Sequence, residues 1–180
     1  RTVVGDWTVP FGSGTGALPM STALAGFGTQ TTPHALVQHF AQGKWGAASI
    51  EPCGAFGLAP LTQALHYGTS IFEGLKAHRQ PDGSVTMFRP LDHLRRLNRS
   101  AARLCLPGVE PETLCAAMAE LVRLDAAHVP EAPSALYLRP LMFACDAVLG
   151  YATPTTVTLT VLLVPVPVLF REKGGVRLRT

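Results

Sequence analysis

Apolar residues recur along this chain with two different periods, and the places where the period changes divide it into elements. Leu91, Leu94, Leu97, Ala101 and Leu104 fall at helical spacing. This predicts a helix capped by Asp92 and stopped by Pro107-Gly108. Pro111 then opens a second helix, with Leu114, Met118, Leu121 and either Val122 or Leu124 turned inward, closing near Pro130. Alternating stretches at 34–40 and 44–50, separated by Gln-Gly, predict two short strands. The positions 65, 68–69, 72 and 75 suit a helix ended by Gly74, and Asp-Gly at 82–83 marks a hairpin between 75–79 and 84–88. An apolar strand follows at 134–144, interrupted by Arg139-Pro140. A turn-rich stretch leads to a strand over 155–164, apolar enough to be buried on both faces.

Strands, a hairpin, two helices and further strands in that order predict an α+β domain followed by the opening of another. The boundaries expected are a flexible, glycine-rich arm over 1–28, a small α+β domain over 29–144, an interdomain loop over 145–154, and the start of a second domain over 155–180. No βαβ run carries a glycine fingerprint, so a dinucleotide-binding fold is excluded. The chain begins with Arg and ends on a half-formed alternating pattern, which reads as a fragment at both ends.

Composition narrows the class. With 180 residues, 47% hydrophobic and 15% charged, the chain is globular and outside the disordered regime. A net charge of +3 without a basic cluster gives no ground for a nucleic-acid partner. The longest apolar run, Val157 to Phe170, is broken by Pro165 and Pro167 and is too short to span a bilayer. Cys53, Cys105, Cys115 and Cys145 are widely separated, with no metal-ligand spacing. The expectation is free thiols in a reduced, cytoplasmic protein, without a metal.

Three features exceed an ordinary core. Arg139 stands in an apolar strand and needs an anionic partner, since a desolvated unpaired charge is costly. That partner is either a structural carboxylate or the carboxylate of a substrate. Arg95, Arg99 and Arg103 line one helix face, the pattern of a solvated surface. Arg96 departs from that register toward Leu97 and is the arginine best placed to hold a phosphate in a pocket. Tyr67, Phe72 and Tyr137 are ordinary core aromatics unless they converge, in which case they suit an apolar substrate pocket. Lys76 reads as structural, because nothing in its local sequence marks it as a catalytic amine.

The segment Leu65-His-Tyr-Gly-Thr-Ser-Ile-Phe-Glu-Gly-Leu-Lys-Ala-His-Arg79 resembles the branched-chain aminotransferases of fold type IV, enzymes that use pyridoxal 5′-phosphate (PLP). So do Met87-Phe-Arg-Pro90, Arg96-Leu-Asn-Arg-Ser-Ala101, Leu121-Val-Arg-Leu-Asp125, Ser134-Ala-Leu-Tyr-Leu-Arg-Pro140 and Val161-Leu-Leu-Val-Pro-Val166. With Phe27-Gly-Thr29 the likeness spans about residues 27 to 170. It implies the small N-terminal α+β domain of these D-amino-acid-aminotransferase-like enzymes, followed by the first strands of the large PLP-binding domain.

By the same resemblance Arg96 holds the cofactor phosphate, and Phe27, Phe72 and Tyr137 line an aliphatic pocket. Arg139 receives the distal carboxylate of glutamate. Tyr67, Leu149 and Tyr151 reach the site of a partner in a homodimer. The Schiff-base lysine is expected beyond Thr180, so no catalytic residue is expected within the chain. The implied reaction is transamination of leucine, isoleucine or valine with 2-oxoglutarate, as in branched-chain amino acid biosynthesis. Two other readings are a non-catalytic interaction module, and another fold type IV enzyme such as a D-amino-acid transaminase or aminodeoxychorismate lyase. The Tyr-Leu-Arg-Pro and Phe-Glu-Gly-Leu-Lys phrases count against the latter.

Overall fold

A computed structural model describes residues 3–4, 7–8 and 28–168. Its strands are β1 (Val3–Val4), β2 (Trp7–Thr8), β3 (His34–Ala41), β4 (Lys44–Trp45), β5 (Ser49–Pro52), β6 (Ser70–Phe72), β7 (Leu75–Arg79), β8 (Val85–Met87), β9 (Ala135–Ala144) and β10 (Val157–Val166). Three helices, α1 (Gln63–Tyr67), α2 (Pro90–Arg103) and α3 (Pro111–Leu124), and a 3-10 turn at Ala126–His128 complete it. The strands join in one sheet, ordered β1-β2-β5-β3-β10-β9-β7-β8, with β4 on β3 and β6 on β9. Every pairing is antiparallel except β2 with β5. The α+β class expected from the sequence is the one observed.

The two long helices bury the stripes that their spacing predicts. Leu94, Leu97 and Ala101 of α2, with Leu114, Met118 and Leu121 of α3, pack against Leu36, Leu138, Met142, Leu159 and Leu163 from the central strands. Burial of each such leucine is worth about 2 kcal/mol, so these rows fix which sheet face the helices cover. Gln42 and Gly43 both have positive φ, 53° and 76°, and close the β3–β4 hairpin.

Several expectations are corrected. The helix expected up to Gly74 ends at Tyr67, where Gly68 turns left-handed (φ 63°). Residues 70–72 form a strand because Ser70 and Phe72 pair with Phe143 and Leu141 of β9. Asp92 does not cap α2. Pro90 starts the helix after Arg89, and Asp92 lies in its first turn, held 2.6 Å from Arg89 Nε. α3 stops at Leu124 rather than near Pro130. The buried Asp125 that follows is taken by His34, through its backbone N–H (3.2 Å) and Nδ1 (2.6 Å).

β9 runs unbroken through Arg139-Pro140, and the Pro140 carbonyl accepts the Glu73 N–H at 2.8 Å. The strand expected to open a second domain instead lies mid-sheet. Val157–Val166 pairs with β3 on one side and β9 on the other, so the stretch 145–154 links two neighbours of one sheet.

Candidate functional site

Side chains alternate across a strand, so β9 serves two faces. Leu136, Leu138, Met142 and Ala144 join the helix-side core. Tyr137 and Arg139 project from the opposite face, where Tyr137 packs with Ala135, Val164 and Val166. Arg139 Nε donates to Tyr137 Oη at 3.2 Å. Its guanidinium carbon lies 4.1 Å from the Phe72 ring centroid and 5.2 Å from that of Tyr137. Among the described residues no carboxylate comes within ion-pair distance of Arg139. The structural ion pair left open by the sequence is therefore absent there, and a half-buried cation stands between aromatic faces.

Phe72, Glu73 and Gly74 sit where β6 passes into β7, and each serves a different member of the site. Phe72 lies under Arg139. A Cβ at Gly74 would collide with Tyr137 Oη, so only glycine lets the phenol occupy its place. Glu73 is a residue that the sequence does not single out. Its side chain is 8% exposed, and its carboxylate takes Arg96 in a fork, Nε to Oε2 and Nη2 to Oε1, both at 2.6 Å. The Gly74 N–H adds a bond to Oε1 at 3.0 Å. Burial pushes the Glu73 carboxyl up, but the Arg96 and Gly74 hydrogen bonds and the Arg96 charge together hold it below its ordinary value. The signal available in sequence is a lone acid between an aromatic and a glycine inside a strand pair.

Arg96 also lines a cavity of about 270 Å³ with Phe88, Arg89, Asp92, His93 and Arg99. Three arginines and a histidine face one aspartate, and that aspartate is already paired with Arg89 and Arg95.

A third group forms at α1 and the loop after β9. The Tyr67 and Tyr151 rings approach at 4.6 Å between centroids, Leu149 lies on the same loop, and Tyr151 is 91% exposed. Gln63 Nε2 donates to the carbonyls of Gly150 and Ala152, each at 3.2 Å, tying the loop to the helix. Asp146 closes its base by accepting from the N–H groups of Thr155 and Thr156 and from the Thr155 hydroxyl. Thus Phe72, Tyr137 and Arg139 converge, Tyr67 and Tyr151 converge with Leu149 nearby, and Arg96 stands with Glu73. Phe27 lies outside the described residues. Among the described residues no cluster suits a metal ion, and no helix is long and apolar enough to cross a membrane.

The antiparallel sheet with two helices packed on one face has an α+β fold consistent with the N-terminal domain of the fold type IV enzymes. The branched-chain amino acid aminotransferase of Escherichia coli superposes on 74% of this chain and 41% of its own, with a TM-score of 0.58 and 23% identity. A second solved branched-chain amino acid aminotransferase, with pyridoxamine 5′-phosphate, covers 78% of this chain and 43% of its own, at TM-score 0.56 and 26% identity. In sequence, the cytosolic branched-chain-amino-acid aminotransferase of Saccharomyces cerevisiae is 39% identical over 142 residues, 78% of this chain and 38% of the relative. Branched-chain-amino-acid transaminase 1 of Bacillus subtilis is 37% identical over 143 residues, 78% of this chain and 40% of the relative. The relatives and structural neighbours it matches are branched-chain amino acid aminotransferases, over about 78% of this chain. The chain spans about two fifths of the length of the curated relatives it matches. No family model matches it.

Proposed function

We propose that this chain supplies the substrate wall and the phosphate arginine of a PLP-dependent transaminase acting on leucine, isoleucine or valine with 2-oxoglutarate and glutamate. The observation that carries the reading is Arg139, half-buried over Phe72 with no carboxylate partner among the described residues. A cation so placed suits a distal substrate carboxylate, while the Phe72 and Tyr137 rings beside it suit an aliphatic side chain. One pocket can then take both members of the amino-group exchange.

The residues present fit PLP. The arginine-lined cavity at α2 has the donor chemistry of a phosphate-ester site, and Arg96 would hold that phosphate. When bound, PLP supplies the electron sink that allows the substrate α-carbon to lose its proton. The chain's own contribution is to bind and orient: Arg96 at the phosphate, Arg139 at the distal carboxylate, and Phe72 and Tyr137 along the side chain. We place the Schiff-base lysine beyond Thr180 and assign no such role to Lys76.

We further propose a homodimer in which Tyr67, Leu149 and Tyr151 complete the partner's pocket. The loop is tied down at Gln63 and Asp146, yet it presents Leu149 and Tyr151 outward. A cytoplasmic setting is in keeping with the cytosolic yeast relative and with four cysteines that are all free.

The test is glutamate formation from leucine and 2-oxoglutarate in the presence of PLP. The complete protein is expected to turn over, and the 180 residues alone are not. Absence of leucine-dependent glutamate from the complete protein, or turnover by the 180 residues, would contradict the assignment.

A further inference from the structure

The Glu73–Arg96 pair joins two elements that the sheet alone does not fix against each other. Glu73 lies on the short link between β6 and β7, anchored by its own N–H to the Pro140 carbonyl at 2.8 Å. Arg96 lies on α2 across from it, with a side chain that is 56% exposed. An exposed arginine ordinarily samples many rotamers, and holding it in one geometry costs entropy. Here the buried carboxylate uses both oxygens on the Nε–Nη2 edge. Nη1, outside this fork, is the nitrogen left for a further acceptor. Nη2 also meets His93 Nδ1 at 3.2 Å, and that nitrogen lies 3.7 Å from Glu73 Oε2.

The acid therefore does not neutralise the cavity at random. It consumes one edge of Arg96 and fixes the plane of the rest, while Arg89, Arg99 and His93 line the same space. We infer that Glu73 is a positioning residue for anion binding, orienting Arg96 toward the phosphate ester of PLP through the carboxylate fork. This rests on the cofactor reading above. It also ties the phosphate site to the substrate wall, because Glu73 directly follows the Phe72 that underlies Arg139.

The test is equilibrium binding of PLP, and of pyridoxal lacking the phosphate, to the complete apo-protein. Glu73→Gln keeps the shape and loses the charge. It is expected to weaken PLP about tenfold, the value of one charge-assisted hydrogen bond at about 1.4 kcal/mol, and to leave pyridoxal unchanged. Arg96→Ala is expected to weaken PLP at least as much. The double variant is expected to bind PLP no more weakly than Arg96→Ala alone, because Glu73 acts only through that arginine.

Additive losses in the double variant overturn the inference, as does an equal loss for PLP and pyridoxal in Glu73→Gln. Unchanged PLP binding by Glu73→Gln beside a weakened Arg96→Ala overturns the positioning role and leaves the cofactor site standing. Unchanged binding by Arg96→Ala overturns the cofactor reading itself, and the inference with it. If Glu73→Gln does not fold, Glu73→Asp is read by the same criteria, with a smaller loss expected for PLP and none for pyridoxal.

Discussion

The Arg139 guanidinium lies 4.1 Å over the Phe72 ring, and the ring is 60% exposed on its strand. An aromatic left so open contributes little to the core, yet it gives the cation an apolar platform. Phe72→Ala should therefore cost less than about 1 kcal/mol in folding stability, the scale of an exposed cation–π contact. It should raise KM for leucine while barely lowering the melting temperature. A large thermal destabilisation with unchanged KM would instead make Phe72 a core residue.

Gly74 and Tyr137 make a steric prediction. A methyl group at position 74 would overlap the phenol oxygen, with the ring carbon Cζ only 2.8 Å away. Gly74→Ala should destabilise by about 1–3 kcal/mol, as overpacked sites do. Adding Tyr137→Leu should return part of that loss while reducing activity. Thermal unfolding of the two variants decides the matter, and a Gly74→Ala variant as stable as the parent would mean that the ring moves aside freely.

Loop placement makes another. Gln63 is buried and holds two loop carbonyls, so Gln63→Ala should free residues 150–152 without unfolding the sheet. Amide exchange in that loop should quicken by about tenfold, the effect of roughly one hydrogen bond, while β9 and β10 keep their protection. Unchanged exchange would show that the Tyr67–Tyr151 contact and the Asp146 bonds suffice.

Acid should act chiefly through the two lowered carboxyls that are partly buried, Glu73 and Asp146. Burial raises both, but hydrogen bonds, joined at Glu73 by the Arg96 charge, outweigh it and leave both below their ordinary values of 4.5 and 3.8. Groups lowered in the folded state contribute stability above the ordinary value and lose it as pH falls through the lowered one. The melting-temperature gap between the parent and Glu73→Gln should thus be full at neutral pH and shrink below about pH 4.5. A gap that widens on acidification would contradict the pairing.

How far the sequence reaches depends on whether a feature is local. Leu94, Leu97 and Ala101 follow from a 3.6-residue period, and the helix core confirms them. Val157–Val166 announces a strand buried on both faces, but periodicity carries no information about strand order. A central strand of the same sheet therefore reads as the start of another domain. The spacing around Gly68 reads as helix up to Gly74, but pairing with β9, which is distant in sequence, makes 70–72 a strand. Arg139 is marked by its charge in an apolar strand. Glu73 is not, because its meaning lies in an arginine on another element.

We propose that Arg139 serves a substrate carboxylate within a pocket that also takes aliphatic side chains. The most direct measurement is kcat/KM of Arg139→Ala in the complete protein for glutamate and for leucine. Loss of a charge-assisted, bidentate contact should cost glutamate about a hundredfold or more, and leucine less than about tenfold. Equal losses for the two substrates would show that Arg139 only supports the strand and that the distal carboxylate is held elsewhere.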